Sequence, residues 1–234
     1  MVLTLLALLP ALVPAIWIYR KDKVEKEPIG LLLKIFFFGA LSVIPTAILE
    51  LVLGEVFLLF LEETSLLYIL LENFVVVALV EEFCKMEAAK LAAWKHRAFN
   101  YKFDAIVYCV ISALGFAAVE NVLYVLDGDL STAVTRALLS IPSHAIDGLI
   151  MGYFFGMAKD EAVVGNRRGF RYYLRLSVLM PAIEHGIYDT SLSLDNDWVL
   201  LFFFAFVIAV DIWAIIFARK QSKKDRAFPG TKVG

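Results

Sequence analysis

Long apolar stretches, separated by clusters of charge, constrain this chain more than any other feature. A helix needs roughly 20 apolar residues to cross the hydrocarbon core of a bilayer. Hydrophobic residues make up 61% of the sequence, and the mean hydropathy is +0.76, which is far above the range typical of soluble proteins. The sequence therefore predicts an all-α polytopic transmembrane helix bundle. We expect a single transmembrane domain over residues 1–219 and a short basic cytoplasmic tail over 220–234.

The charge boundaries predict about seven spans. They are residues 1–19, 30–49, 66–90, 104–126, 132–158, 172–190 and 198–218. The second span is the least well defined, because proline, glycine and glutamate residues between positions 45 and 55 interrupt an apolar run that continues to Leu61. We interpret residues 50–63 as an amphipathic segment at the outer interface. One long kinked helix over 30–63 is the alternative.

The basic residues predict the orientation. All but three of the 22 lysines and arginines fall within residues 20–26, 90–102, 159–175 or 219–234. Seven crossings place these four segments on one side, which the positive-inside rule makes cytoplasmic. We therefore predict a multi-pass protein of the cell membrane with its N-terminus outside and its C-terminus inside. The polar tail from Lys220 onward is expected to be frayed.

Charge and cysteine content exclude two classes of function. The net charge of −2 gives no bulk attraction to nucleic acid, so we expect the bilayer and membrane proteins as partners. Cys84 and Cys109 lie in apolar runs without the spacing of a zinc or redox motif. They are predicted to be buried, inert thiols.

Ionisable residues within the predicted spans indicate a functional site, because a charge at a helix centre costs roughly 2.5–3.5 kcal/mol on insertion scales. Glu81, Glu82 and Lys85 form the first cluster, in which the lysine is three or four residues from each carboxylate and shares a helical face with it. Two adjacent carboxylates in a low dielectric are not both readily ionised, so one suits proton transfer. A structural ion pair is the alternative.

The second and third clusters lie on the next two predicted helices. Glu120 and Asn121 follow small residues that let a neighbouring helix approach closely. His144 shares a helical face with Asp147, and Pro142 is expected to bend this helix and free a carbonyl group. The alternative for the second cluster is a polar contact between helices, and the alternative for the third is a core histidine whose hydrogen bonds are satisfied.

The fourth cluster is His185 with Asp189, whose carboxylate can accept the second ring N–H of the histidine and fix its tautomer. Counted along the helices, all four clusters lie roughly 13–27 Å above the cytoplasmic boundary, so they can meet in one bundle. Arg136, near the depth of Glu120, either anchors the site or merely pairs with an acid.

This ordered set of motifs resembles the PrsW family of intramembrane proteases. The set is Glu-Glu-x-x-Lys, Phe-x-x-x-Glu-Asn, a histidine and His-x-x-x-Asp on successive helices, from Glu81 to Asp189. The wider group includes the CAAX prenyl endopeptidases and the abortive-infection proteins. Its second motif often ends in histidine, so Glu120 favours the PrsW branch.

The resemblance implies hydrolysis of a peptide bond in or next to the membrane, in a membrane-anchored substrate such as an anti-sigma factor. The catalytic residues that it implies are Glu81, Glu82, Glu120, His144 and His185, with Lys85, Asn121 and Asp189 in support. We add Asp147 to the supporting residues because of its spacing from His144.

Two mechanisms are compatible with these residues. In one, Glu81 or Glu82 is the general base on water, and His185 polarises the carbonyl or protonates the leaving amine. In the other, zinc is bound by residues among His144, His185, Glu120 and Glu81. The absence of a Gly-x-Ser-Gly serine and of a His-Glu-x-x-His helix argues against rhomboid-like and ordinary zincin chemistry.

Two other functions use buried charges. A proton- or cation-coupled transporter builds its proton relay from such residues, but it usually shows inverted repeats with broken helices, and this sequence does not. A scaffold would use the charges only to pair helices. We therefore predict a protease that acts on a single-pass membrane protein.

Overall fold

The computed structural model describes residues 7–230, and within that range the secondary structure is helical. The helices are α1 (Leu12–Lys21), α2 (Ile29–Leu58), α3 (Leu66–Leu71), α4 (Val80–Ala93), α5 (Lys102–Asp127), α6 (Leu130–Leu138), α7 (Ser140–Val163), α8 (Arg167–Ser193) and α9 (Asp197–Lys223). A short 3₁₀ turn precedes α1, and a π-helix, Glu72–Leu79, joins α3 to α4. The predicted all-α class is confirmed. Residues 1–6 of the first predicted span lie outside the described residues, and so do residues 231–234 of the tail.

Four helical stretches of the described chain are long and apolar enough to cross a membrane. They are α2, α5, α9, and α6 together with α7. The helices predicted at 66–90 and 172–190 are also present, but they carry the charged motifs and are less apolar. Seven spans with the N-terminus outside therefore remain a prediction that this structure is compatible with.

The predicted amphipathic segment at 50–63 is wrong, because α2 continues as a single helix of 30 residues to Leu58. Pro45 lies inside that helix. Proline removes one backbone hydrogen bond, but leaving the helix inside a bilayer would expose several unpaired backbone groups, which costs more. Glu50 is compatible with the helix since its side chain lines an internal cavity.

The span predicted at 132–158 is divided at Leu139, between α6 and α7. Pro142 has no N–H to donate to the carbonyl of Leu138, which is the last residue of α6. The predicted effect of the proline therefore appears as a break between two helices.

The described residues of the four basic segments lie at one end of the bundle, which is compatible with the common side predicted for them. Lys159 donates to the carbonyl of Trp94 over 2.7 Å, and the N–H of Lys102 donates to the carbonyl of Arg226 over 3.1 Å. Ser222 donates to the carbonyl of Lys21 over 2.5 Å, so the basic segment that begins at the end of α1 lies at the same end of the bundle. We call this end the basic end.

The expectation of a frayed tail is wrong for its described part. Residues 220–223 continue α9, and the following residues pack against the bundle. Asp225 accepts from the N–H of Phe103 over 2.9 Å, and the ring of Phe228 meets that of Phe99 edge to face at 5.4 Å. The side chain of Phe228 is only 2% exposed, so burial of one aromatic ring orders an otherwise polar segment.

Helix α5 is the centre of the bundle and packs closely against α2 and α7. A Cβ atom on Gly115 would lie 2.1 Å from the carbonyl oxygen of Phe36 on α2, and one on Gly148 of α7 would lie 2.6 Å from the Cα atom of Val110. Both positions need glycine so that the backbones can touch. Cys84 and Cys109 are free and buried, as predicted.

Candidate active site

The first motif lies on α4, directly after the π-helix. The Nζ atom of Lys85 is 2.7 Å from Glu81 Oε2 and 2.8 Å from Glu82 Oε1. The side chains of Lys85 and Glu82 have no exposed surface. Because a buried ammonium group needs acceptors around it, the lysine holds both carboxylates on one face of the helix.

Lys85 also fixes the tautomer of His144 on α7. Its Nζ atom is 3.0 Å from His144 Nδ1, and an ammonium group only donates, so Nδ1 is the acceptor. The ring proton is therefore on Nε2, which donates to Glu120 Oε2 over 2.9 Å. A neutral His144 thus links the first motif to the second.

His185 on α8 faces carboxylates on both sides. Its Nδ1 atom is 3.0 Å from Glu82 Oε1, and its Nε2 atom is 3.1 Å from Asp189 Oδ2. Ionised carboxylates only accept, so both bonds form when both ring nitrogens carry protons. The rings of His144 and His185 meet edge to face with centroids 5.6 Å apart. The two histidines are therefore adjacent but have different hydrogen-bonding roles.

Arg136 on α6 completes the second motif. Its Nη2 atom is 2.9 Å from Glu120 Oε2, and its Nε atom donates to Asn121 Oδ1 over 2.7 Å. The guanidinium group also lies 3.9 Å from the centre of the Tyr124 ring. Arg136 thus pairs with an acid and at the same time anchors both polar residues of this motif.

These motifs surround a cavity of about 770 Å³. Its polar wall includes Glu50, Glu81, Glu120, Arg136, His144, His185, Tyr188 and Asp189. Glu82, Lys85 and Asp147 have no exposed surface and lie behind that wall. The cavity extends to Ser131 and Ser193, near the ends of α6 and α8 that are remote from the basic end.

Sequence reasoning missed Glu50 as a cavity residue. Its Oε1 atom is buried and has no hydrogen-bond partner within the part of the chain that the structure describes. The signal is a carboxylate within an apolar run, which by itself also fits a segment at the membrane interface. The direction of the Glu50 side chain depends on how α2 packs against α5. The sequence of one helix does not determine this packing.

At this site, two groups of buried side chains have ligand atoms within 4.8 Å of one another. They are Glu81, Glu82 and His144, and Glu82, Asp147 and His185. In the first group, the ammonium group of Lys85 already contacts all three side chains. Any metal would have to displace that charge, so the first group is a poor candidate.

The second group fits a divalent metal such as zinc. Both carboxylate oxygens of Asp147 and the Oε2 atom of Glu82 are buried and accept no hydrogen bond from an N–H or hydroxyl group among residues 7–230, and the carboxyl group of Glu184 adjoins Asp147. Imidazole nitrogens and carboxylate oxygens are both ligands that zinc uses in proteins. With Nδ1 of His185 as the ligand, Asp189 would hold the other ring N–H, as is typical of metal-bound histidines. Glu120 belongs to neither group.

Comparison with known proteins identifies the family. The model of the PrsW family of intramembrane metalloproteases matches residues 27–216. Protease PrsW of Clostridioides difficile (strain 630) is 36% identical over 217 residues, which cover 91% of this chain and 87% of the relative. Protease PrsW of Geobacillus kaustophilus (strain HTA426) is 36% identical over 219 residues, or 92% of this chain and 91% of the relative.

A more distant relative agrees. Protease PrsW of Bacillus subtilis (strain 168) is 30% identical over 218 residues, which cover 90% of this chain and 89% of the relative. No solved structure shows a significant match. The relatives favour the protease interpretation over the transporter alternative. The chain therefore belongs to the PrsW family of intramembrane metalloproteases and is a membrane-bound hydrolase.

Proposed function

We propose that this protease cleaves a single-pass membrane protein, in or next to the bilayer, at the cavity between α2, α4, α5, α7 and α8. The observation that carries the proposal is the convergence on one cavity wall of Glu81, Glu120, His144 and His185, which come from four different helices. A cavity of about 770 Å³ is within the usual size range of ligand sites, so a short extended peptide segment can enter it.

Glu81 is the general base in this proposal. It lines the cavity, whereas Glu82 is fully buried behind it. Glu81 takes a proton from water, and the water oxygen attacks the carbonyl carbon of the scissile bond. Lys85 donates hydrogen bonds to both Glu81 and Glu82 and so keeps Glu81 in place for this step.

His185 is the proton donor. As the C–N bond breaks, the leaving amine takes a proton from the doubly protonated imidazole. His185 Nε2 lies 3.9 Å from Glu81 Oε2, so the proton gained by Glu81 can return to the histidine through one water molecule. Arg136 adds a positive charge to the cavity wall that suits the developing oxyanion.

Family membership also implies a metal. The best-fitting ligands are Glu82, Asp147 and His185, and a metal bound there would supply Lewis-acid activation of the carbonyl or of water. With Nδ1 of His185 bound to a metal, that histidine would no longer be doubly protonated, and Glu81 would pass the proton taken from water to the leaving amine. Resemblance to the family suggests an anti-sigma-factor-like substrate, anchored by one transmembrane helix.

The test is cleavage in proteoliposomes that contain the purified protein and a single-pass substrate. We expect the wild type to cleave, the His185→Ala variant to lose cleavage, and the Glu55→Gln variant to retain it, since Glu55 is exposed on α2. A chelator should abolish cleavage, and added zinc should restore it.

A folded His185→Ala variant that still cleaves would contradict the proposed site. Cleavage that is unaffected by the chelator would remove the metal from the proposal but leave Glu81 in place. A wild type that cleaves no membrane substrate but moves protons across the liposome membrane would favour the transporter alternative.

A further inference from the structure

A second group of buried carboxylates lies at the basic end of the bundle. Asp22 directly follows α1, Glu27 is in the loop before α2, and Asp104 is in the first turn of α5. One carboxylate oxygen of each lies within 4.8 Å of the other two, and the three residues are 1%, 2% and 0% exposed. Glu120 follows Asp104 by 16 residues on the same helix, so this group is roughly 24 Å from the candidate active site.

The carboxylate of Asp22 is almost completely buried. Neither of its oxygens has a hydrogen-bond partner within residues 7–230. Lys26, the cation of the same loop, donates instead to the backbone carbonyls of Tyr19 and Asp22. Asp22 also occupies the C-terminal end of α1, where the helix dipole disfavours a negative charge.

The other two carboxylates are only partly satisfied. The Oδ2 atom of Asp104 accepts from the N–H groups of Asn100 and Tyr101 over 3.0 and 2.6 Å, but its Oδ1 atom has no partner among the described residues. Glu27 accepts a hydrogen bond from the hydroxyl group of Tyr108. The free oxygens of Asp22 and Asp104 therefore adjoin a carboxylate that is held in place.

Burial makes the charged forms of the two loop residues costly. It raises the pKa of the Asp22 carboxyl to about 6 and the pKa of the Glu27 carboxyl to about 7. Lys26 lowers the pKa of Asp22 and the neighbouring acids Asp225 and Glu25 raise it, but burial is the largest effect and outweighs the lysine. At neutral pH and above, a positive ion between these carboxylates would offset the repulsion.

We propose that Asp22, Glu27 and Asp104 bind a hard divalent cation, Mg²⁺ or Ca²⁺, at the basic end of the bundle. The three side chains offer only oxygen ligands, which these cations prefer, whereas a site that contains histidine suits zinc. The cation ties the loop between α1 and α2 to the start of α5. The site is independent of the proposed catalytic chemistry.

Thermal unfolding of the purified full-length protein in nanodiscs tests the proposal. After treatment with chelator at pH 8, addition of Mg²⁺ or Ca²⁺ at about 100 times its Kd should raise the Tm of the wild type by roughly 5–10 °C. Asp22→Asn should abolish this increase. Glu25→Gln is the matched control: Glu25 is exposed and accepts from Asn100, and a glutamine oxygen can still do so, so the increase should persist.

Mn²⁺ bound to the wild-type protein gives a second measurement, which does not depend on the folding of a variant. Its electron paramagnetic resonance spectrum should show one bound ion with no hyperfine coupling to nitrogen. The proposal is overturned if neither cation shifts the wild-type Tm, if the shift survives in Asp22→Asn, or if every bound Mn²⁺ couples to nitrogen, because that ion would then occupy the site containing histidine. In these cases the carboxylates are held by shared protons.

Discussion

Lys85 and His144 lie on different helices, and the ammonium nitrogen of the lysine is 3.0 Å from Nδ1 of the histidine. The same ammonium group contacts both glutamates of the first motif and lies 4.4 Å from the centre of the Phe116 ring on α5. One cation therefore joins three helices at the candidate site. In the proposed mechanism, this cation holds Glu81 and His144 at the cavity wall.

Loss of this cation should destabilise the protein strongly. Lys85→Met leaves two carboxylates buried without their counter-ion, and breaking a buried pair typically costs roughly 3–5 kcal/mol. Lys90→Met on the same helix breaks a partly exposed pair with Glu87, which is worth roughly 0–1 kcal/mol. Thermal unfolding in detergent should show a large decrease in Tm for Lys85→Met and little change for Lys90→Met. Equal effects of the two variants would contradict the central role of Lys85.

Asp189 should set the metal affinity through His185. Asp189→Asn removes the charge behind the ring and should weaken zinc binding by roughly 10–100-fold, as is typical when the hydrogen-bond partner of a metal-bound histidine is changed. The check is cleavage activity measured against free zinc in a metal buffer. For Asp189→Asn, the plot of cleavage rate against zinc should shift to higher free zinc concentrations, and excess zinc should restore the wild-type rate. Asp195→Asn, in the loop before α9, is the control and should leave the curve in place.

Gly186, beside His185, should not tolerate a larger side chain. A Cβ atom there would lie 2.3 Å from the ring of Phe74 in the π-helix. Gly186→Ala should cost roughly 1–3 kcal/mol through overpacking and should also lower activity by displacing the neighbouring histidine. Gly30→Ala is the control, because a Cβ at Gly30 meets no atom within 4 Å. Phe74→Leu replaces the ring by a smaller side chain and should restore the stability and activity of Gly186→Ala. If the double variant stays as impaired as Gly186→Ala, another contact causes the loss.

The local part of the site could be predicted from the sequence. Lys85 with Glu81, and Asp189 with His185, are pairs four residues apart, and the geometry of a helix alone places them together. The basic segments likewise predicted one common end of the bundle. These inferences need only helix periodicity and the cost of charge in a bilayer.

Contacts between distant segments could not be predicted in this way. Glu27 meets Tyr108 across 81 positions, and the direction in which Glu50 points depends on how two helices pack. Phe228 orders the described part of the tail by packing its ring against that of Phe99, which is far away in sequence. The mean polarity of a segment gives no sign of such a contact.

The most direct test of the central claim is the cleavage rate of a single-pass substrate in proteoliposomes by the Glu81→Gln variant. Glutamine has the same shape but cannot take a proton from water, and loss of a general base typically lowers the rate by roughly 10²–10⁴-fold. We predict a decrease of that size for Glu81→Gln and a wild-type rate for Glu55→Gln, with both variants folded. A folded Glu81→Gln variant that cleaves at the wild-type rate would contradict the account.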